Sequence, residues 1–162
     1  MKLLPAALCS LALLQQPKDA SICPTHDMHM TLNERGEMGM GFSQTATTHH
    51  FLLTPAGGII QVESNDSADA ASRDSIRMHL HNIAHAFQTG DFDIPMFVHD
   101  TTPPGVAVMK QRIKAIRYTI EETPNGGRVI IQTRDKAALN AIHTFLRFQI
   151  TEHKTGDPLA IP

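Results

Sequence analysis

The chain has no Trp, one Tyr and only two Cys in 162 residues. So few thiols exclude a disulfide-framed mini-protein and a zinc module built on cysteine alone. A cationic excess is also missing: 14 Lys and Arg stand against 16 Asp and Glu, a formal charge of −2. Nucleic-acid binders carry a basic patch to meet phosphates, so that class is set aside. No Gly-rich phosphate loop, His-Glu-x-x-His helix, Gly-x-Ser-x-Gly elbow or Cys-x-x-Cys-His occurs. The enzymes built on those motifs, and covalent haem, are thereby excluded, while non-covalent haem held by His stays open. Ser, Asp and His occur, but their spacing gives no triad.

What the chain does have is 41% hydrophobic residues, 10 His and 8 Met. That apolar content supports a packed core, and the length admits one domain. Met1 to Leu14 is one Lys followed by an apolar run that stops at Gln15-Gln16-Pro17-Lys18-Asp19. The run is shorter than the ~20 residues a membrane-spanning helix needs. It reads instead as a signal peptide over residues 1–20. The mature chain is then exported, periplasmic or extracellular, with no membrane span. Cys9 would leave with the signal, and Cys23 would remain without an internal partner.

Residues 21–48 show little periodicity and read as an irregular His/Met-rich arm. From His49 a regular grammar begins: strand to Leu53, turn Thr54-Pro55-Ala56-Gly57-Gly58, strand Ile59 to Glu63, helix Ser72 to Gln88, stop at Gly90. It returns some 69 positions later: strand Ile116 to Glu122, turn Thr123-Pro124-Asn125-Gly126-Gly127, strand Arg128 to Thr133, helix Lys136 to Lys154, stop at Gly156. The pattern predicts an α+β domain over 49–158 made of a duplicated ββα unit (49–91 and 114–158). Four antiparallel strands would carry two helices on one face. The linker 92–113 contains Pro95, Pro103 and Pro104 and is expected to cross the surface before a short helix near Val106 to Arg112.

At about 100° per residue from Ile76, Leu80, Ile83 and Phe87 cluster within ~40° of it and form the core stripe of the first helix. Asp74, Met78, His81 and His85 fall on the opposite face, and His81 and His85, four apart, can chelate one ion. The rings of His49 and His50 point to opposite sides of their strand, so one of them at most joins any single site. His99 falls in the linker. His143 adjoins the second helix's apolar stripe as a packed, hydrogen-bonded residue. His153, in the last turn, is expected to be a cation favoured by the helix dipole.

The arm holds the densest donor cluster: Cys23, His26, Met28, His29 and Met30, then Met38 and Met40. Thioethers are poor zinc ligands but good ones for monovalent copper, so Met interleaved with His points to copper, with zinc the alternative. The candidate metal ligands are therefore Cys23, His26, Met28, His29, Met30, His49, His50, Met78, His81 and His85.

From about Met38 onward the chain resembles a family of small exported bacterial proteins of unknown function. The resemblance rests on Thr47-Thr48-His49-His50-Phe51, Ala71-Ser72-Arg73-Asp74 with Ile76-Arg77, Pro103-Pro104-Gly105-Val106, and Ile142 to Ile150. Some members carry the name aspartate carbamoyltransferase. An enzyme of that name is about twice this length and has a Ser-Thr-Arg-Thr phosphate loop and a His-Pro-x-Gln segment, both missing here. Its substrates are cytosolic, which the signal segment contradicts.

The sequence thus points first to an exported protein that binds a transition metal for handling, with a metal ion as partner. One alternative is a ligand- or partner-binding module, or a homodimer, that uses the sheet's free face through Phe51, Tyr118 and Ile131. The other is a small metal-dependent hydrolase joining His81, His85 and Asp74 to His49 or His50.

Overall fold

A computed structural model describes residues 30–161. The signal-peptide expectation, and Cys23, His26, Met28 and His29 of the arm, lie outside the described residues. The elements run α1 (Leu32–Met40), β1 (Thr47–Thr54), β2 (Gly57–Ser64), α2 (Ala70–Thr89), α3 (Asp93–His99) and α4 (Val106–Gln111), then a 3-10 turn (Ile113–Ala115), β3 (Ile116–Thr123), β4 (Gly126–Thr133) and α5 (Lys136–His153). This is an α+β architecture: one antiparallel sheet in the order β1-β2-β4-β3, with helices packed against it.

The repeated turn sequence has a steric cause. Each hairpin closes on two residues, Pro55-Ala56 and Pro124-Asn125, and the two glycines that follow lie inside the return strands. The first of each pair abuts the neighbouring strand: a Cβ at Gly57 would sit 2.0 Å from the Ile131 carbonyl oxygen, and one at Gly126 2.1 Å from that of Val62. The second lets a helix approach. A Cβ at Gly58 would meet Leu146 of α5 at 2.1 Å, and one at Gly127 would meet Leu80 of α2 at 3.2 Å. Gly58 and Gly127 lie on the same sheet face as Phe51, Ile60, Val62, Val129 and Ile131, so both long helices cover that one face.

The core forms between them. Ile76, Leu80, Ile83 and Phe87 of α2 are buried as their spacing predicts, as are Ile142, Phe145, Leu146 and Ile150 of α5. The free-face expectation for Phe51, Tyr118 and Ile131 is corrected. Phe51 and Ile131 are buried beneath the helices and Tyr118 packs against that core, because their strand parity points them inward. The opposite face carries Leu52, Ile59 and Ile130, which are cross-strand neighbours in one row.

Each of the two long helices braces the hairpin that it does not directly follow in sequence. His143 of α5 donates from Nε2 to the carbonyls of Thr54 and Gly57, both at 2.9 Å. Arg77 of α2 donates to the carbonyls of Gly126 (3.0 Å) and Thr123 (2.7 Å). The central ladder pairs Ile60 with Val129.

Two helices stand where none was expected. Residues 32–40, read as part of an irregular arm, form α1 behind a capping box in which Thr31 Oγ1 accepts from the Glu34 N–H and the Glu34 carboxylate accepts from the Thr31 N–H. Residues 93–99, read as linker, form α3; Pro95 is tolerated because it lies in the first turn, where its missing N–H is not needed. Arg35 of α1 donates to the Val98 carbonyl at 2.8 Å and also to the carbonyl of Met30. Phe42, just beyond α1, is buried in the core. No helix among the described residues is long and apolar enough to cross a membrane.

Candidate functional site, a chamber lined by imidazoles

α1 and α3 close one end of the helix-covered face, and there four elements each contribute a histidine: His49 from β1, His79 from α2, His99 from α3 and His153 from α5. The His49 and His153 rings are parallel with centroids 5.9 Å apart, and His99 meets His153 edge-on at 5.0 Å. Phe42 joins the group from the α1 side, 6.0 Å from His49 and edge-on to His79 at 5.5 Å. Between them lies a cavity of about 60 Å³ whose wall includes Met40, His49, His79 and His153, with the rest apolar.

The rings are held neutral. Burial, with smaller contributions from neighbouring imidazoles, pushes His49 and His79 down to about 4 and His153 to about 3. His99 is lowered too, chiefly by burial, against the Gln149 hydrogen bond and the nearby Glu152. The expectation of a cationic His153 at the helix end is therefore overturned: the ring turns into the protein, and desolvation outweighs the dipole.

Their nitrogens are only partly used. Gln149 Oε1 accepts from His99 Nε2 at 2.8 Å, leaving Nδ1 of that ring as a buried nitrogen with no partner. His49 Nε2 is also buried and unpartnered. Buried polar atoms without partners are uncommon, and two in one cluster of rings single out this chamber. Neutral imidazoles with free lone pairs are electron-pair donors toward a metal ion or a small hydrogen-bond donor.

The other sequence-derived candidates lie elsewhere. His50 points to the opposite face, where Asp157 Oδ1 accepts from its Nδ1 at 2.9 Å. Asp157 Oδ2 also takes the Phe51 N–H (2.9 Å) and the Thr155 hydroxyl (2.7 Å). Burial opposes ionisation of this carboxyl, but those donors together hold its pKa below the ordinary value. His81 and His85 are exposed and border a shallow depression against β3 with Arg117 and Tyr118. They therefore sit beside one edge strand while His49 and His50 sit on the other, so the hydrolase constellation is not assembled. Met78 is 64% exposed and has no part in the chamber. Met30 is half-buried at the start of the described chain, where its carbonyl serves Arg35. Among the described residues no group of three or more His, Cys, Asp or Glu side chains is arranged to hold a metal ion.

Sequence reasoning missed His79. On the wheel used above it falls near 300°, beside Ile83 at about 340°, on the margin of the core stripe. That position was the available signal. The convergence of four rings from four elements has no local signature.

No protein-family model matches the chain, and neither the curated proteins nor the solved structures provide a match.

Proposed function

We propose that the protein is a non-enzymatic binding protein for a soft transition metal, monovalent copper above all, and that the imidazole chamber is its internal site. The observation that carries this reading is the unpartnered Nε2 of His49 beside a small cavity that His79, His153 and Met40 also line. Among the described residues no three His, Cys, Asp or Glu side chains are arranged to share one ion, so at most two of these three imidazoles would act together. Two imidazoles with the Met40 thioether would form a donor set of low coordination number, suited to monovalent copper and short of the four ligands of structural zinc. Because the rings are neutral well below pH 7, protons compete little for their lone pairs. A cavity of about 60 Å³ has room for an ion and is far too small for a porphyrin, which argues against haem in this chamber. The arm donors Cys23, His26, Met28 and His29 would capture the ion outside, and export through the N-terminal segment belongs to the same proposal. So does duplication of the ββα unit, supported by the pairing of Ile60 with Val129, 69 positions on (129 − 60), at the centre of the sheet.

The test is anaerobic loading with cuprous ion, gel filtration and metal analysis. One equivalent should be retained by the wild-type chain and lost from His79→Leu/His153→Leu. Alanine replacement of His26, Met28 and His29 together should slow uptake and leave the retained equivalent. Retention by the double histidine variant would remove the chamber from the proposal, and retention of nothing by the wild type would end it.

A second reading, a ligand-binding module on the uncovered sheet face, is favoured by one feature. Leu52 and Ile59 face a cleft of about 410 Å³ whose far wall is Pro158, Ala160 and Ile161 of the C-terminal segment. An apolar probe whose fluorescence rises with the wild type, and falls when residues 158–162 are deleted, would support it.

A further inference from the structure

The two edges of the sheet are finished differently. At β1 the Phe51 N–H points outward and is taken by Asp157. At β3 nothing comparable occurs: among the described residues it pairs with β4 alone. The two-residue turn makes Thr123 and Gly126 the closing hydrogen-bonded pair, so Glu121, Thr119 and Arg117 direct their backbone groups to β4. The N–H and C=O groups of Ile116, Tyr118, Ile120 and Glu122 therefore face outward. A depression of about 410 Å³, with His81, Ala84, His85 and Gln88 of α2 as its upper wall, runs along this edge and leaves it accessible.

Open edges recruit strands unless charge or shape prevents it. The charges on β3 are Arg117, Glu121 and Glu122, and their order matters. Antiparallel pairing with a second copy about a two-fold axis at Thr119 matches residue i with residue 238 − i. Tyr118 then faces Ile120 of the other copy as a hydrogen-bonded pair, which the outward parity of both residues requires. On the uncovered sheet face, Arg117 meets Glu121 of the other copy, twice per dimer. Glu121 is equipped for this: both bonds from Arg128, at 2.9 and 2.6 Å, go to its Oε2, leaving Oε1 for a second guanidinium. A shift of the axis to residue 118 or 120 keeps the backbone parity and loses both Arg117–Glu121 pairs. On the helix side, half-buried Tyr118 and Ile120 would join the two apolar layers.

We propose that β3 is a self-association edge, and that two copies of this chain pair through it in the Thr119-centred register to form one eight-stranded sheet. The partner is a second copy because the charge pattern is complementary to itself. An isolated strand edge covers less than the ~1,600 Å² of a standard stable interface, so the dimer is a weak, concentration-dependent one.

Sedimentation of the full chain over the micromolar range should show a reversible monomer–dimer equilibrium. Arg117→Glu should weaken it at least about tenfold, and the triple swap Arg117→Glu/Glu121→Arg/Arg128→Glu, which keeps the in-chain pair, should restore it to within about threefold. Register is read separately in a Cys9→Ser/Cys23→Ser background. Thr119→Cys should cross-link readily on mild oxidation, because a non-hydrogen-bonded pair brings the Cα atoms within disulfide range, whereas Gln88→Cys should not. Monomer at every concentration with no Thr119→Cys cross-link would overturn the proposal and leave the edge to a different extended chain. So would a dimer indifferent to Arg117→Glu, which would place self-association on another surface.

Discussion

An imidazole gives up its proton when its surroundings withhold water, and the chamber does this to several rings at once. The consequence for metal-free protein is a definite acid profile. His49 and His79 titrate near 4 and His153 near 3 in the folded state, against about 6.5 unfolded. Below pH 6.5 the unfolded chain binds more protons, so stability rises with pH there. Unfolding free energy should be level above about pH 7, fall as the pH drops from 6.5, and stop falling on their account only below about 3 to 4. Each such ring adds up to about 1.4 kcal/mol per pH unit to the slope, with crowding among them making the total less than additive. Asp157 acts separately, because its lowered pKa confines its contribution to a loss below the ordinary carboxylate range. Urea midpoints measured from pH 7 to pH 4 check the sign, and His79→Leu should flatten the curve; an unchanged curve would mean that His79 is not a buried neutral ring. Glycine gives a second prediction at this scale. Gly126→Ala would drive a methyl group into the Val62 carbonyl at 2.1 Å, backbone that has nowhere to go, and should cost upward of about 2 kcal/mol by denaturant unfolding.

Among the elements, α1 shares with α3 the closing of the chamber, with Met40 at its end in the cavity wall and Phe42 just past it. Thr31→Ala removes half of its capping box and should cost about 1 kcal/mol. Amide exchange should then quicken across Leu32–Met40 while the strands stay protected. The elements also differ in how far local chemistry announces them. The hairpins were legible because Thr-Pro-x-Gly-Gly answers to a contact that any side chain would block. The long helices were legible because Ile76 through Phe87 keeps a 3.6-residue rhythm. α1 was obscured by Gly36, Gly39 and four methionines nearby, although Thr31-Leu32-Asn33-Glu34 carried its start signal. α3 was obscured by Pro95, which reads as a breaker unless its place in the first turn is known. Site residues follow the same division. The outward face of Met78, His81 and His85 follows from spacing alone, whereas the meeting of His49, His79, His99 and His153 is set by which element lies beside which. No periodicity within one element encodes that.

The whole molecule is braced crosswise, with α2 holding the second hairpin through Arg77 and α5 holding the first through His143. His143→Ala leaves two carbonyls without their donor and should cost about 1–3 kcal/mol. Because one core joins both hairpins and both long helices, that loss should appear as a shift of a single cooperative transition, with far-ultraviolet circular dichroism and Tyr118 fluorescence giving the same midpoint. Two separate transitions would mean that the two hairpins and their helices fold apart. The same bracing dictates a timetable for biosynthesis. Until Thr133 and most of α5 have left the ribosome, β2 has no inner neighbour and Gly58 no leucine to receive, so a nascent chain ending near Arg112 is a half-sheet with its inner edge unpaired and part of its greasy face bare.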